Sequence, residues 1–196
     1  AHEGRDSRGR PRLPPGKPRT AMTRVISLAP AARPLIGLQI ASFPTKSYRD
    51  WPVEHFAALC VKILERWPNA GFLLFGGSEE RDRVEALATK IGKAAVPVGG
   101  RLSLRETGAL MSRLDLYVGV DTGPTHMMSA FDIPMIALYH CISPSTLTGP
   151  LDHPLCHVID LQAGPGGCSE QSSMARISIE EVFRFVVAAL GPAAAG

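Results

Sequence analysis

The 196-residue chain is 45% hydrophobic and 20% charged, an ordinary globular composition that excludes collagen, coiled coil and wholesale disorder. A chain of this length buries roughly 70% of its unfolded surface and needs no staples, and no apolar run approaches the roughly 18–20 residues of a membrane helix. The formal net charge of +3 is unevenly spread: residues 1–24 carry seven basic and two acidic side chains, and the remaining 172 carry fourteen and sixteen. The body is therefore slightly acidic and offers no basic face for nucleic acid.

Residues 1–20 contain four Pro, three Gly and six basic residues. With so little to bury, residues 1–32 read as a tail or interdomain linker and 33–196 as the folded domain. No apolar stretch of a secretory signal occurs there, and a cytoplasmic setting is expected. From residue 35 strands and helices alternate. Residues 35–40 form a short apolar run and predict a buried strand. Residues 53–67 carry the helical stripe Phe56, Leu59, Cys60, Ile63 and Leu64, bounded by Pro52 and Pro68. A second strand is predicted over 71–75, a helix over 79–91 and a short strand over 94–98. Ser103 followed by Glu106 predicts a capping box at the start of a helix reaching about 113. Strands follow over 116–120 and 133–139, with a short helix over 125–131 between them. A last strand over 157–161 and a terminal helix over 179–190 complete the set.

Alternating strands and helices with continuously apolar strands predict an α/β fold, a Rossmann-like parallel sheet with helices on both faces. Ligands of such sheets bind beyond the carboxyl ends of the strands. Four loops lie there, 41–52, 76–80, 99–103 and 121–126, and the unusual polar residues cluster in them. In Tyr117 to Tyr139, YVGVDTGPTHMMSAFDIPMIALY, a strand delivers Asp121 and Thr122-Gly123-Pro124 turn into a helix. Free amides at such a start suit a phosphate, with Gly123 admitting it and Thr122 and His126 adding donors. The competing reading is that Asp121 and Thr122 only cap the helix. The loop after the first strand holds Ser42, Thr45 and Lys46, a point charge for an anion. Gly76-Gly77-Ser78-Glu79-Glu80 offers a close backbone approach and a carboxylate for ribose hydroxyls. Neither GxGxxG nor GxxxxGK[ST] occurs. A hydrolytic triad built on Asp121 and His126 lacks a serine in a nucleophile-elbow setting. Cys60, Cys141, Cys156 and Cys168 show no CxxC spacing. They read as reduced thiols, with zinc or iron binding by the last three the lesser alternative.

Three segments, in this order, resemble the donor-binding half of the ADP-heptose:lipopolysaccharide heptosyltransferases, glycosyltransferase family nine. They are IGLQIASFPTKSYRDWPVEHFAAL, LLFGGSEERDRV and the strand–Asp-Thr-Gly-Pro-Thr-His segment with its following Ile-Pro-Met-Ile-Ala-Leu-Tyr. The resemblance covers about residues 33–151. It implies the donor-binding half of a GT-B glycosyltransferase. Lys46 would then meet the donor diphosphate, with Ser42 in the same loop. Glu80 would hold the ribose, Leu102 would pack on adenine and Asp121 would bind the sugar hydroxyls. Thr122, Gly123 and His126 would hold the diphosphate, and Lys46 and Asp121 would serve the transfer. The implied donor is an ADP-sugar, ADP-heptose first, and the acceptor a lipopolysaccharide core, another glycan, a lipid-linked species or a protein. No cofactor and no metal are expected, and the setting is cytoplasmic, free or peripheral at the inner face of the inner membrane. The sequence departs from the family at His140, where a Gly is usual, at Ala41, and in the longer stretch between Lys46 and Trp51. The family's acceptor domain, with its general base, has no counterpart in these residues. An amino-terminal GT-B domain or a partner chain is therefore expected to supply it. The alternatives are a non-catalytic nucleotide-sugar-binding module acting with a partner chain, and another Rossmann-type enzyme such as a sugar epimerase.

Overall fold

A computed structural model describes residues 32–192. The tail expected over 1–32 lies, apart from Ala32, outside the described residues. Six strands form one parallel sheet in the order β3-β2-β1-β4-β5-β6. They are β1 Leu35–Gln39, β2 Gly71–Phe75, β3 Ala95–Pro97, β4 Leu116–Val120, β5 Met135–Tyr139 and β6 Cys156–Asp160. The helices are α1 Val53–Arg66, α2 Arg81–Ile91, α3 Leu104–Met111, α4 Gly123–Met128, α5 Ser145–Thr148 and α6 Ile179–Leu190. The chain runs outward from β1 to β3, returns to β4 beside β1, and then runs outward to β6. The order reverses between β1 and β4, so their carboxyl ends flank the crevice where such sheets bind ligands.

Side chains alternate across the strands, and the two faces are covered separately. One face carries Ile36, Leu38, Phe72, Leu74, Val118, Val120, Ile136 and Leu138 against α1, α2 and α6. The other carries Leu35, Leu73, Phe75, Tyr117, Ala137 and Tyr139 against α3 and α4. Trp51 is fully buried on the first face, its indole N–H donating to the Ile177 carbonyl at 2.9 Å. It locks the start of α1 to the segment that leads into α6. The expected capping box is present: the Ser103 amide donates to Glu106 Oε2 at 2.8 Å and the Glu106 amide to Ser103 Oγ at 3.4 Å. Glu106 lies below the usual carboxylate range because the Ser103 amide and hydroxyl stabilise its charge.

Differences from the expected elements are local. Strand β6 runs one residue earlier. Helix α4 starts at Gly123 rather than residue 125, because Pro124 occupies its first turn, and it ends at Met128. A 3₁₀ stretch over Pro44–Arg49 and the four-residue α5 have no apolar stripe and were not expected. The thiols need a correction. Cys141 and Cys168 are joined in a disulfide, while Cys60 and Cys156 are free. Strands β5 and β6 are parallel neighbours, so the loops that follow them leave the sheet at the same edge. That placement joins two cysteines 27 residues apart in sequence. Among the described residues no helix is long and apolar enough to cross a membrane.

Candidate functional site

Asp121 follows β4 directly and lies at the reversal of strand order. Its side chain is only 3% exposed, yet its carboxylate is well satisfied. Arg49 Nη1 lies 2.8 Å from Oδ2, and the Ser143 hydroxyl donates to the same oxygen at 3.2 Å. His126 Nε2 lies 3.2 Å from Oδ1. These contacts use three of the roughly four acceptor positions of a carboxylate. Asp121 is therefore no helix cap. Thr122 holds the N-cap position of α4, but its hydroxyl makes no capping bond to the backbone. Instead Tyr117, Thr122 and Thr125 gather their hydroxyls, and Thr125 Oγ1 donates to the Val120 carbonyl at 2.6 Å. Burial pushes the Tyr117 phenol up, with Thr125 partly opposing. This buried hydroxyl cluster fixes the turn from β4 into α4. A Cβ placed on Gly123 would meet no protein atom within 4 Å, so the amide end of α4 is open. With six residues α4 has little macrodipole, and its unpartnered first-turn amides carry the attraction for an anion.

The loop from β1 to α1 faces that turn. Ser42 is buried. Its amide donates to Asp50 Oδ1 at 2.6 Å, and its hydroxyl lies 2.7 Å from both that oxygen and the Lys46 carbonyl. Asp50 Oδ2 takes Arg83 Nη1 of α2 at 2.7 Å. Ser42 thus shapes the loop from within. Lys46 is exposed, its ammonium 5.8 Å from the centre of the Tyr48 ring. The cation that reaches Asp121 is Arg49, three residues on, with its Cζ 5.7 Å from the same ring and its buried Nε without a partner.

Across the β1 end lies a cavity of about 160 Å³ lined by Gln39, Phe75, Gly76, Gly77, Leu102 and Pro124, among others. Glu80 closes the turn above it, accepting the Gly77 amide on Oε2 at 2.7 Å. Gly100 has φ 63°, and a Cβ there would fall 2.8 Å from Ser78 Cα. Only glycine lets the 76–80 and 99–103 loops close together on this rim. The structure therefore brings Asp121, Thr122, Gly123 and His126 to one turn, with Ser42, Glu80 and Leu102 around it. It adds Arg49, Ser143 and Gln39, which sequence reasoning missed. Arg49 could have been found from Trp51-Pro52: a Trp anchored in the core fixes the residues just before it. Ser143 gives no local signal.

The sequence profile of glycosyltransferase family 9 (heptosyltransferase) matches residues 17–176, beginning inside the expected tail. Lipopolysaccharide heptosyltransferase 1 of Pseudomonas aeruginosa is 31% identical over 115 residues, which cover 59% of this chain and 31% of that protein. The solved structure of Escherichia coli ADP-heptose lipopolysaccharide heptosyltransferase II superposes with a TM-score of 0.73 at 23% identity, covering 92% of this chain and 53% of that one. E. coli heptosyltransferase WaaC, solved with ADP, gives 0.65 at 22% identity, covering 90% and 52%. The chain thus spans about half the length of those solved structures, and its match to the curated relative about a third. These likenesses establish the fold, a Rossmann-like parallel sheet that matches about half of each of those GT-B-like structures.

Proposed function

The chain belongs to glycosyltransferase family 9, the heptosyltransferase family, and from that premise we propose that residues 33–192 bind the nucleotide-sugar donor of a sugar transfer. The observation that carries this reading is the convergence of Arg49 and His126 on buried Asp121, beside the open amide end of α4. In a transfer of this kind the sugar–phosphate bond breaks and negative charge grows on the departing nucleoside diphosphate. Donors aimed at that oxygen stabilise the transition state more than the ground state. Arg49, His126 and the amides at Gly123 fill that role here, with Thr122 beside them and exposed Lys46 adding charge at the rim. The fourth acceptor position of Asp121 takes a sugar hydroxyl. The cavity beside Leu102 takes the base, and Glu80 the ribose. Because a relative of the same fold was solved with ADP, the donor proposed is an ADP-sugar, ADP-heptose first. The acceptor, a lipopolysaccharide core or another glycan, lipid-linked or protein acceptor, and the general base then come from an amino-terminal domain or a partner chain.

Calorimetric titration of the purified chain with ADP and with ADP-heptose tests this. Arg49→Ala should weaken both ligands by about 1.5–3 kcal/mol, the worth of a hydrogen bond to a charged group, and Lys46→Ala should weaken both by less. Asp121→Asn should weaken ADP-heptose much more than ADP, which has no sugar to hold. Equal losses for both ligands, or no binding by the unaltered chain, would sink the assignment.

A further inference from the structure

Beside the donor loops, but outside the contacts described above, His140, Cys141 and Cys168 gather where β5 ends. Their ligand atoms, one from each side chain, all lie within 4.8 Å of one another. The His140 ring is fully buried, and its Nε2 lies 2.8 Å from the Ser172 carbonyl. A carbonyl can only accept, so Nε2 carries the proton and Nδ1 is left with its lone pair. Nδ1 lies 4.0 Å from Cys141 Sγ and accepts the Ile142 amide at 3.2 Å, a bond that a metal ion on Nδ1 would replace. Histidines that ligate metals are held in this way, the second ring nitrogen donating to a carbonyl that fixes tautomer and ring orientation.

In the disulfide form both sulfurs are consumed. We propose that, once the Cys141–Cys168 bond is reduced, His140 Nδ1 and the two sulfurs form a binding site for one Zn2+ ion. A dithiol reductant supplies two electrons and two protons, cleaving the bond to two thiols and becoming a disulfide itself. Zn2+ then displaces the two thiol protons and forms two Zn–S bonds and one Zn–N bond. With Zn–S near 2.3 Å and Zn–N near 2.0–2.1 Å, tetrahedral ligand atoms sit about 3.6–3.8 Å apart. The 4.0 Å between Nδ1 and Cys141 Sγ is already within a few tenths of that. Cys168 supplies the remaining movement. It is exposed, and it follows Gly166 and Gly167, where an added Cβ would meet no atom within 4 Å. The fourth position falls to water. The site also backs onto the donor loop: the Tyr48 ring packs edge-on to His140 at 5.1 Å and lies under Arg49.

The test uses the whole chain, reduced with a dithiol and desalted without oxygen, then titrated with Zn2+ against a colorimetric chelator. Co2+ serves as a spectroscopic probe. One equivalent should bind, and Co2+ should show thiolate-to-metal charge transfer together with the visible bands of a tetrahedral site. The same preparation left oxidised should bind none. Cys141→Ser and Cys168→Ser should each abolish stoichiometric binding. His140→Gln should weaken it and change the Co2+ bands, whereas Cys60→Ser and Cys156→Ser should leave it unaltered. No binding by the reduced chain, equal binding by the oxidised chain, or unaltered binding by Cys168→Ser or His140→Gln overturns the site. The oxidised and reduced comparison uses one unaltered sequence, so it decides the matter even where a variant folds poorly.

Discussion

The two faces of the sheet follow different rules. The face under α1, α2 and α6 is almost wholly apolar, and its helices run 14, 11 and 12 residues. The opposite face is covered by helices of eight and six residues, and glycines at 37 and 119 leave room for the Tyr117 ring. It also carries Gln39, Tyr117 and Tyr139, whose polar groups sit toward the carboxyl edge where the site opens. The first face supplies burial. The second keeps a thin cover and a run of hydroxyls, which positions the α4 turn for a ligand. Stability and site geometry therefore reside on different sides of one sheet.

If that division holds, the largest single loss of stability belongs to the first face. Trp51 is buried beneath α1, edge-on to Phe56 at 4.9 Å and bonded to Ile177. Trp51→Ala should cost about 3–5 kcal/mol, a large cavity plus a lost hydrogen bond. Urea denaturation measures it. A loss no greater than that of the second-face variant below would break the comparison.

On the second face the effect is smaller and comes from polar satisfaction. Thr125→Val keeps the shape but removes the hydroxyl between Tyr117 and Val120, leaving a buried phenol without its partner. The expected cost is about 1–3 kcal/mol. Adding Tyr117→Phe should recover part of it, because removing both partners is gentler than removing one. A double-mutant cycle reads the coupling directly. Additive losses would mean that the hydroxyls do not act as a unit.

How much of this was legible in the sequence depends on which interaction places each residue. Strands β2, β4 and β5 were legible because each is a short, continuously apolar run, and the Ser103 box because a cap and its partner lie three residues apart. Asp121, Thr122, Gly123 and His126 were legible as a group because one turn carries them all. Ser143 was not, and Arg49 only through its closeness to Trp51, since the packing of β1, β4 and β5 side by side is what brings residues 49, 121 and 143 together. The Cys141–Cys168 pair failed for the same reason: proximity comes from loops leaving a common sheet edge. The 3₁₀ stretch over Pro44–Arg49 has no buried side chain, so no hydrophobic period could reveal it. Whether Lys46 or Arg49 meets a donor phosphate is a question of loop register, which the substitutions proposed above separate.

The smallest effect sharpens the comparison at the edge of the first face. His157 on β6 stacks on Phe185 of α6, ring centres 3.2 Å apart. Although His157 is exposed at the sheet edge, partial desolvation of its ring holds its pKa below the usual imidazole value of 6.5; Glu181 opposes this, and Arg184 adds to it. The unfolded chain therefore binds a proton at higher pH than the folded chain does. Stability rises with pH across this window. The contribution is fully present above about 6.5, the ordinary histidine value, and is lost as pH falls below it toward the lower folded value. Thermal melts at pH 7.5 and 5.5 should show a lower midpoint at the acid end, and the drop should shrink in His157→Phe, which keeps an aromatic against Phe185 and removes the titration. An unchanged drop in that variant would assign the acid sensitivity to other groups. It would also leave the first face with no pH-dependent term from its edge strand.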